Sequence, residues 1–529
     1  MKHPVFQAFL ALLLSCAGPA AAQPGAPDLS FGATNGYVVT NFQPGLHASP
    51  NTMAILPNGR IVVVGSTWAP DNSLEPERIS IARYMPNGSL DVTFGNGGKK
   101  TLNFPDYSFS GNSIALLPDG RMMVCGEAWN NDEDMIMLLR LNADGSPDGS
   151  FGGDGLVTYK VCNYTQNSLS IVVQSDGKLL VGGYANFTGY SEAFVMRFNA
   201  NGTPDAGFGG GDGLVSMAIG ESYSGVEKLM LQPDGKILAA CHATLSGVEK
   251  FAMLRLLPNG TPDPSFSNDG YNIVSINNMG NSPESAVLQS DGKIVVAGGA
   301  TINSNDKRMA AVRFLPNGSL DNGFGTGGMV LLDLDGPFEG AHSVAVQADG
   351  KIVLGGYVYD TDAYNSAIVR LLPNGQPDPG FGNQGTAIQS ISTNSDWIYA
   401  LAIQPDGKIV TAGSTWFSAL HHFFVARYQN DVSVGVSSSE SPEYNIRCFP
   451  NPAREQTTLS IDCSRDSQVF AARLYDQQGR FVQHLLSPVQ LPAGSNRLTL
   501  LFPAGLPGGT YILSVETDAG TRAIALVLQ

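Results

Sequence analysis

The sequence has few charged residues and little positive charge. Of its 529 residues only 14% are Asp, Glu, Lys or Arg, and the formal net charge is -16. A negative surface repels phosphate backbones, and no cluster of Lys and Arg reverses it. We therefore expect no nucleic-acid partner.

Long hydrophobic runs are missing after the first residues. From Gln23 onward no stretch approaches the roughly 18 apolar residues that a membrane-spanning helix needs, which predicts no transmembrane span. The start itself has a basic residue, Lys2, then an apolar run and a small-residue end at Ala22, the pattern of a secretory signal over residues 1–22. Lipoprotein processing at Cys16 is an alternative. The mature chain is expected outside the cytoplasm, secreted or on the cell surface.

Catalytic signatures are also missing. The sequence has no Gly-x-Ser-x-Gly elbow, no His-Glu-x-x-His helix and no Walker loop, so we predict no catalytic residue and no cofactor. Three acidic runs offer oxygen ligands for calcium: Asn131-Asp132-Glu133-Asp134, Asp333-Leu334-Asp335-Gly336 and Asp360-Thr361-Asp362. None has the spacing of a calcium loop, so no metal site is predicted and calcium stays an alternative.

What the sequence has in excess is glycine, 62 residues, arranged in a repeat. In the phrase Gln404-Pro405-Asp406-Gly407-Lys408-Ile409-Val410 an Asp-Gly pair separates two apolar runs, which predicts a β-hairpin. The turn glycine recurs every 57 to 61 residues, as Gly59, Gly120, Gly177, Gly235, Gly292, Gly350 and Gly407. Each unit has four strand-like segments, the number in a propeller blade. In the first unit these are Tyr37 to Phe42, Thr52 to Leu56, Ile61 to Val64 and Ile79 to Tyr84.

A second phrase joins the units and predicts how the array ends. It reads Pro86-Asn87-Gly88-Ser89-Leu90-Asp91-Val92-Thr93-Phe94-Gly95 after the first unit. The seventh unit stops after Arg427 without its Asp-x-x-Phe-Gly half, and the N-terminal part supplies that half as Asp28-Leu29-Ser30-Phe31-Gly32. A phrase shared by both ends favours a closed ring over an open stack. We predict an all-β fold with a seven-bladed β-propeller of four-stranded antiparallel blades over residues 27–431.

Two residues recur in every unit and are candidates for a structural pair. Seven copies of a catalytic pair would be unusual, whereas one ion pair or Asx turn per blade is a reasonable lock between blades. The arginines end the fourth strand: Arg83, Arg140, Arg197, Arg255, Arg313, Arg370 and Arg427. The aspartates lie in the connector: Asp28, Asp91, Asp148, Asp205, Asp263, Asp321 and Asp378.

These two phrases together resemble the delta-60 repeat family of bacterial surface and secreted proteins. All seven units have them, over about three quarters of the chain. The resemblance implies a β-propeller and assigns no activity.

The last part of the chain has a different pattern. Residues 432–444 form a polar linker, and residues 445–529 have seven short strand-like segments, as in a small Ig-like β-sandwich. Cys448 and Cys463 lie here and are candidates for a disulfide in an oxidising compartment. The phrases Phe449-Pro450-Asn451-Pro452-Ala453 and Leu506-Pro507-Gly508-Gly509-Thr510-Tyr511 resemble the C-terminal sorting domain of type IX (Por) secretion cargo in Bacteroidetes. That resemblance implies that the secretion machinery is a partner.

Function is expected where the repeats differ. The loops after the first and third strands of each unit vary and share one face, and variable loops on a rigid scaffold commonly bind ligands. Three residues after the end of the third strand, four units have an aromatic residue: Trp68, Trp129, Tyr359 and Trp416. Trp397 lies in the same sector. We predict a monomeric binding propeller with a glycan or protein ligand at these aromatics, although they could instead cap the seams between blades. The alternative function is an extracellular polysaccharide hydrolase or lyase.

Overall fold

A computed structural model describes most of the chain. It covers residues 23–70, 76–104, 107–130, 133–187, 189–277, 279–404, 406–430, 444–449, 456–463, 467–475, 481–486, 489–502, 506, 509–517 and 520–528. The predicted signal at 1–22, almost all of the linker and the Phe449-Pro450-Asn451-Pro452-Ala453 phrase beyond its first residue lie outside this range. No helix among the described residues is long and apolar enough to cross a membrane.

Apart from a 3-10 turn at Gly32–Thr34, the regular secondary structure of the described residues consists of β-strands. A first short strand is Tyr37–Thr40 (β1). Blades one and two follow as His47–Ile55 (β2), Ile61–Trp68 (β3), Arg78–Tyr84 (β4), Lys99–Leu102 (β5), Ser108–Leu116 (β6), Met122–Trp129 (β7), Asp134–Leu141 (β8) and Leu156–Tyr159 (β9). Blades three and four are Gln166–Val173 (β10), Leu179–Asn186 (β11), Ser191–Phe198 (β12), Leu214–Met217 (β13), Ser224–Leu231 (β14), Ile237–Leu245 (β15), Val248–Leu256 (β16) and Tyr271–Val274 (β17).

The remaining blades repeat the same spacing. Blades five and six are Asn281–Leu288 (β18), Ile294–Asn303 (β19), Asp306–Phe314 (β20), Met329–Leu332 (β21), Glu339–Val346 (β22), Ile352–Asp360 (β23), Ala363–Leu371 (β24) and Thr386–Gln389 (β25). Blade seven has Asp396–Ile403 (β26), Ile409–Phe417 (β27) and Leu420–Tyr428 (β28). Within each of the first six blades, four antiparallel strands pair in chain order. The second strand of each blade is buried over most of its length, because both of its faces pack against a neighbouring blade.

The seventh blade closes the ring. Its sheet has the order β1-β28-β27-β26, so the N-terminal strand supplies the outermost strand of the last blade. The hydrophobic cores lie in the seams between adjacent blades, and one of them joins Ile61 of blade one to Val410 and Phe423 of blade seven. The seven-bladed propeller predicted from the sequence is confirmed.

One part of the strand assignment was wrong. Tyr37 to Phe42 was predicted as the first strand of unit one, but Tyr37–Thr40 pairs with β28 of blade seven. The same shift holds around the ring, since the first segment of each sequence repeat is the outermost strand of the preceding blade. The chain therefore enters each blade from its centre, and the repeat boundary falls one strand away from the blade boundary.

The recurring arginines and aspartates form a lock at the base of each blade. In every blade a guanidinium nitrogen of the arginine lies 2.6 to 2.9 Å from Oδ2 of the connector aspartate. Its guanidinium also lies over the connector phenylalanine, 4.4 to 4.8 Å from the ring centroid. In six blades the paired residues are eight apart, but Arg427 pairs with Asp28 across 399 residues. Arg427 also lies over Phe31, so the lock of blade seven joins the two ends of the propeller.

The C-terminal part folds into two further sheets. The strands are Tyr444–Phe449 (β29), Gln456–Cys463 (β30), Ser467–Tyr475 (β31), Phe481–Leu486 (β32), Val489–Leu491 (β33), Gly494–Leu501 (β34), Gly509–Thr517 (β35) and Gly520–Leu528 (β36). The first sheet has the order β29-β30-β34, and the second has β32-β31-β35-β36 with β33 beside β31. Leu459 and Leu500 of the first sheet share a core with Leu513 and Val515 of the second, as in a sandwich. Eight strands are described here, one more than the sequence predicted.

The predicted disulfide between Cys448 and Cys463 is wrong, because Cys448 is a free thiol. The strand register gives the reason. Cys448 lies opposite Leu459, whereas Cys463 lies opposite Tyr444, four residues farther along the paired strands. Four residues of strand span roughly 13 Å, more than a disulfide can bridge. Burial raises the pKa of the Cys448 thiol to about 11.

Candidate functional site

The two faces of the propeller differ in the way that the sequence predicts. The Asp-Gly turns and the connectors with their Arg-Asp locks share one face, because both link the same ends of the strands. The loops after the second strand and after the outermost strand of each blade form the other face. We call this second surface the loop-bearing face. The aromatic group described next lies at the strand ends that meet this face, and the polar group lies on the innermost strands.

The first group is a continuous run of aromatic and histidine rings over blades six, seven and one. We call it the aromatic belt, and its members are Tyr359, Tyr364, Trp397, His421, Trp416, His47 and Trp68. Successive ring centroids are 4.9 Å apart for Tyr359 and Tyr364, 5.3 Å for Tyr364 and Trp397, and 5.9 Å for Trp397 and His421. His421 lies 4.3 Å from Trp416 and 5.4 Å from His47, which stacks on Trp68 at 5.3 Å. All of these rings except His47 are partly exposed.

Four of the five predicted aromatic residues thus lie in one group, and the fifth does not. Trp129 ends β7 in blade two, where its backbone pairs with Ser108 and Asp134. In the described part of the chain no ring contact joins it to the belt. The column of aromatic residues in the sequence was therefore a good guide for blades six, seven and one, and it failed at blade two.

His47 and His421 lie between the tryptophans of the belt, and both histidines are neutral at neutral pH. Burial, with the nearby charges of His47 and His422, lowers the pKa of His421 to about 4. Burial also lowers the pKa of His47, whose Nδ1 accepts a hydrogen bond from the His421 backbone N–H at 3.1 Å. Among the described residues no three His, Cys, Asp or Glu side chains are placed to hold a metal ion. At neutral pH the belt is an uncharged surface of rings.

The second group lies on the innermost strands, next to the propeller axis. Each innermost strand has a β-bulge, and its extra residue is the eighth before the turn glycine. We call the polar members of this set the polar ring: Asn51, Asn112, Glu227, Glu284, His342 and Tyr399. Blade three has Leu169 at this position. The innermost strands pack on one another around the axis, so these side chains face a common channel.

Hydrogen bonds and close contacts join the polar ring from blade to blade. The Asn51 amide donates to Asn112 at 3.3 Å, and the Asn112 amide donates to Asn167 of blade three at 2.8 Å. In blade four Oε1 of Glu227 lies 2.6 Å from Nδ1 of His242. A carboxylate oxygen of Glu284 lies 3.8 Å from Nδ1 of His342.

The polar ring and the aromatic belt are continuous with each other. The His342 ring lies 5.2 Å from Tyr399 and 5.3 Å from Tyr357. Tyr357 in turn lies 5.4 Å from Tyr364 of the belt. A ligand on the belt would therefore have carboxylate, amide and phenol groups within reach at its inner edge. Rings beside convergent polar groups are the usual composition of a small-molecule or sugar site.

One carboxyl group in this region is partly protonated at neutral pH. Burial, together with the charges of Asp134 and Glu77, raises the pKa of Glu127 to about 7. Its Oε2 accepts a hydrogen bond from the Asn167 amide at 3.0 Å. Burial likewise raises the pKa of Glu77. A carboxyl group that holds its proton near neutral pH can donate it to a bound ligand.

The polar ring was missed in the sequence analysis, although a signal for it exists. A short apolar run precedes each turn, and in six of the seven units the eighth residue before the turn glycine is Asn, Glu, His or Tyr. These residues are the extra residues of the bulges on the innermost strands, which lie around the axis shared by the seven blades. The same reasoning that selected the tryptophan column would have selected this one.

One of the acidic runs considered for calcium, the one at Asp333, has other partners. Arg308 forms ion pairs with Asp306 at 2.6 Å and with Asp333. Asp335 donates its backbone N–H to Asp333 at 3.0 Å. Asn131 and Asp132 lie outside the described residues. These contacts explain the Asp333 run as a loop held by its own hydrogen bonds.

Solved structures with a similar arrangement include enzymes that act on polysaccharides. The polysaccharide lyase Uly1 has a TM-score of 0.42 and 10% identity, over 76% of this chain and 93% of that one. An ulvan lyase of family PL25 has a TM-score of 0.40 and 10% identity, over 74% and 96%. An endo-arabinase from Bacteroides thetaiotaomicron has a TM-score of 0.27 and 11% identity, over 49% and 93%. Similarity at this level says nothing about the activity of the present chain.

A family model identifies the repeat itself. No curated protein matches the chain. The model described as a domain of unknown function (DUF5122) beta-propeller matches residues 56–94, 117–151, 174–208, 232–266, 289–324, 347–381 and 404–433. Each match begins beside a turn of the repeat, and the first six continue through the following connector. The chain is therefore a repeat β-propeller protein with seven copies of the DUF5122 repeat.

Proposed function

We propose that this protein is an extracellular binding propeller whose ligand is a glycan held on the loop-bearing face. The observation that carries the proposal is the aromatic belt, a continuous run of seven rings over three blades. Sugar rings present apolar C–H faces that pack on aromatic side chains, while their hydroxyls need hydrogen-bond partners. The belt offers the first kind of contact and the adjoining polar ring offers the second.

The charge of the belt favours a sugar over an ionic ligand. Because the pKa values of His47 and His421 are lowered, the belt has no positive charge for phosphate or sulfate groups. Glu284 contributes a carboxylate at the inner edge. Paired amide and carboxylate acceptors suit neutral hydroxyl groups. The expected ligand is thus a neutral polysaccharide or one with few anionic groups.

A protein ligand is the other possibility for such a surface, and the burial of the belt argues against it. Protein interfaces are usually built on exposed aromatic anchors that insert into a partner. Trp68, Trp397 and Trp416 are each only partly exposed. Rings that are partly covered by their neighbours suit a thin ligand that lies along them.

Export belongs to the same proposal. The secretory signal at 1–22 would bring the chain into an oxidising compartment, and the C-terminal sandwich would serve as the type IX sorting domain. The secretion machinery would then be its first partner and a surface glycan its second. Fractionation of the native host, followed by detection of the propeller in the medium or on the surface, tests this part directly.

A second candidate function is cleavage of the bound polysaccharide, and Glu127 is the observation that favours it. Its pKa of about 7 makes it a possible general acid beside the polar ring. Polysaccharides bound by the protein should be incubated with it and assayed for new reducing ends and for unsaturated products. Activity in wild type that is lost in Glu127→Gln would establish an enzyme. No product from a tightly bound polysaccharide would establish a binding module.

The binding proposal is tested with a panel of neutral, anionic and amino polysaccharides, measured by affinity electrophoresis and calorimetry. We expect Trp416→Ala to weaken binding of the best ligand at least tenfold, because the loss of a central ring removes contacts on both sides. Trp129→Ala is the matched control, a tryptophan from the same sequence column that lies outside the belt. Equal losses in both variants, or a wild-type protein that binds no member of the panel, would overturn the proposal.

A further inference from the structure

A second pair of aromatic rings lies on the loop-bearing face, away from the belt. Tyr190 follows β11 in blade three, and Tyr223 precedes β14 of blade four. Their ring centroids are 5.7 Å apart and the ring planes meet at 82°. About half of each side chain is exposed, 52% for Tyr190 and 50% for Tyr223. Two large rings that pack on each other and stay half exposed form a corner open to solvent.

The backbone holds this corner in place. The Thr244 N–H donates to the Tyr223 carbonyl at 2.8 Å, and the Glu221 N–H donates to the Thr244 carbonyl at 2.8 Å. On the other side the Gly189 N–H donates to Oδ1 of Asn186 at 2.8 Å. Rings on a fixed backbone lose little conformational entropy when a ligand binds, which is the property of an effective stacking platform.

The position of the pair relative to the belt is set by the seven-fold ring. Tyr190 and Tyr223 lie at the boundary between blades three and four, and the belt is centred on blade seven. In a ring of seven blades this boundary is diametrically opposite blade seven. A straight line from one aromatic group to the other therefore crosses the channel with its polar ring. The sequence column of aromatic residues has Asn186 and Thr244 in these two blades, so the pair supplies rings where the column has none.

We infer that Tyr190 and Tyr223 form a second stacking platform for the same glycan, so that one polysaccharide chain lies across the whole loop-bearing face. This inference rests on the proposed glycan-binding function and specifies the ligand further. The ligand is an internal stretch of a long polysaccharide, with one part on the belt, its middle over the polar ring and its far part on the tyrosine pair. A short fragment can occupy only one of the two platforms.

The test compares ligand lengths in three variants of the full-length protein. Calorimetry is performed with the intact polysaccharide and with its di- and trisaccharides. In the double variant Tyr190→Ala/Tyr223→Ala we expect about tenfold weaker binding of the intact polysaccharide and unchanged binding of the short fragments. In Trp416→Ala we expect weaker binding of every length. Tyr164→Ala is the control, an exposed tyrosine on the same face outside the pair.

The two hypotheses fail in different ways. If Trp416→Ala weakens binding while the double variant binds the intact polysaccharide like wild type, the second platform is refuted and the belt is retained. The same conclusion follows if Tyr164→Ala reproduces the loss of the double variant. If Trp416→Ala has no effect on any ligand, or if no glycan binds the wild type, both hypotheses are refuted. Unchanged thermal unfolding of each variant establishes that the losses are local.

Discussion

Replacement of Asp28 by asparagine should open the seam between the two ends of the propeller. Oδ2 of Asp28 lies 2.7 Å from Nε of Arg427 and 2.8 Å from Nζ of Lys408. The Asp28 side chain is almost fully buried. Burial acts to raise the pKa of Asp28, but the hydrogen bonds from Lys408 and Ser30 and the charge of Arg427 outweigh it and hold the pKa at about 2. The Asp28→Asn substitution keeps the shape of the side chain and removes its charge.

The size of the effect follows from the lowered pKa. A shift from 3.8 to about 2 in a buried group corresponds to about 2 kcal/mol of stability near neutral pH. Because the folded pKa is the lower one, this stability is complete above about pH 4 and is lost as the pH falls through about 2. Since the pair joins residues at the two ends of the ring, the loss should appear first as local opening of β1 from β28.

Native-state hydrogen exchange measures that opening. We expect the amides of Tyr37–Thr40 to exchange roughly thirtyfold faster in Asp28→Asn than in wild type, which is the factor that corresponds to about 2 kcal/mol. Asp205→Asn is the matched control, because hydrogen bonds from Lys178 and Gly207 with the charge of Arg197 also lower the pKa of Asp205 to about 2. Its lock lies within one stretch of chain, so exchange should rise in blade three and stay unchanged in β1. Unchanged exchange of β1 in Asp28→Asn, or an equal rise there in Asp205→Asn, would refute this reasoning.

Three other predictions concern single residues. The raised pKa of Glu127 means that its contribution to stability is complete below about pH 4.5 and is lost as the pH rises through about 7, so Glu127→Gln should flatten the fall in the denaturation midpoint between about pH 5 and pH 8. Cys448 is free, so a thiol reagent should modify it in denatured protein that has not been reduced. An unreactive Cys448 would show instead that the predicted disulfide with Cys463 exists. Phe266 is fully buried with Arg255 over its ring, so Phe266→Ala should lower the free energy of unfolding by about 3–5 kcal/mol in denaturant titrations, and a loss below about 1 kcal/mol would show that the connector ring is not an anchor.

The fold could be predicted from the sequence because the same turn and connector phrases occur in all seven units. The Asp-Gly turn sets each hairpin, and the split connector at Asp28 and Phe31 can only be completed by Arg427 of the last unit. The repeat did not show to which blade its first strand belongs. A repeat is unchanged when its boundary moves by one strand, and only the pairing of Tyr37–Thr40 with β28 decides the question.

The site was only half predictable for a related reason. The tryptophans were recognised because large aromatic residues stand out in a column of small ones. His47 and His421, which join them, come from different blades and lie 374 residues apart in the sequence, so only the closure of the ring brings them together. The Cys448 disulfide was wrong because proximity in the sequence was taken as proximity in space, whereas strand register separates the two residues.

The glycan site on the aromatic belt is tested most directly by fluorescence of the variant Trp129→Phe. Three tryptophans remain in this variant, Trp68, Trp397 and Trp416, and all of them lie in the belt. We predict that the best polysaccharide of the panel changes their emission in a saturable way, with the same dissociation constant that calorimetry gives. A polysaccharide that binds by calorimetry and leaves this emission unchanged would show that the ligand lies elsewhere on the protein.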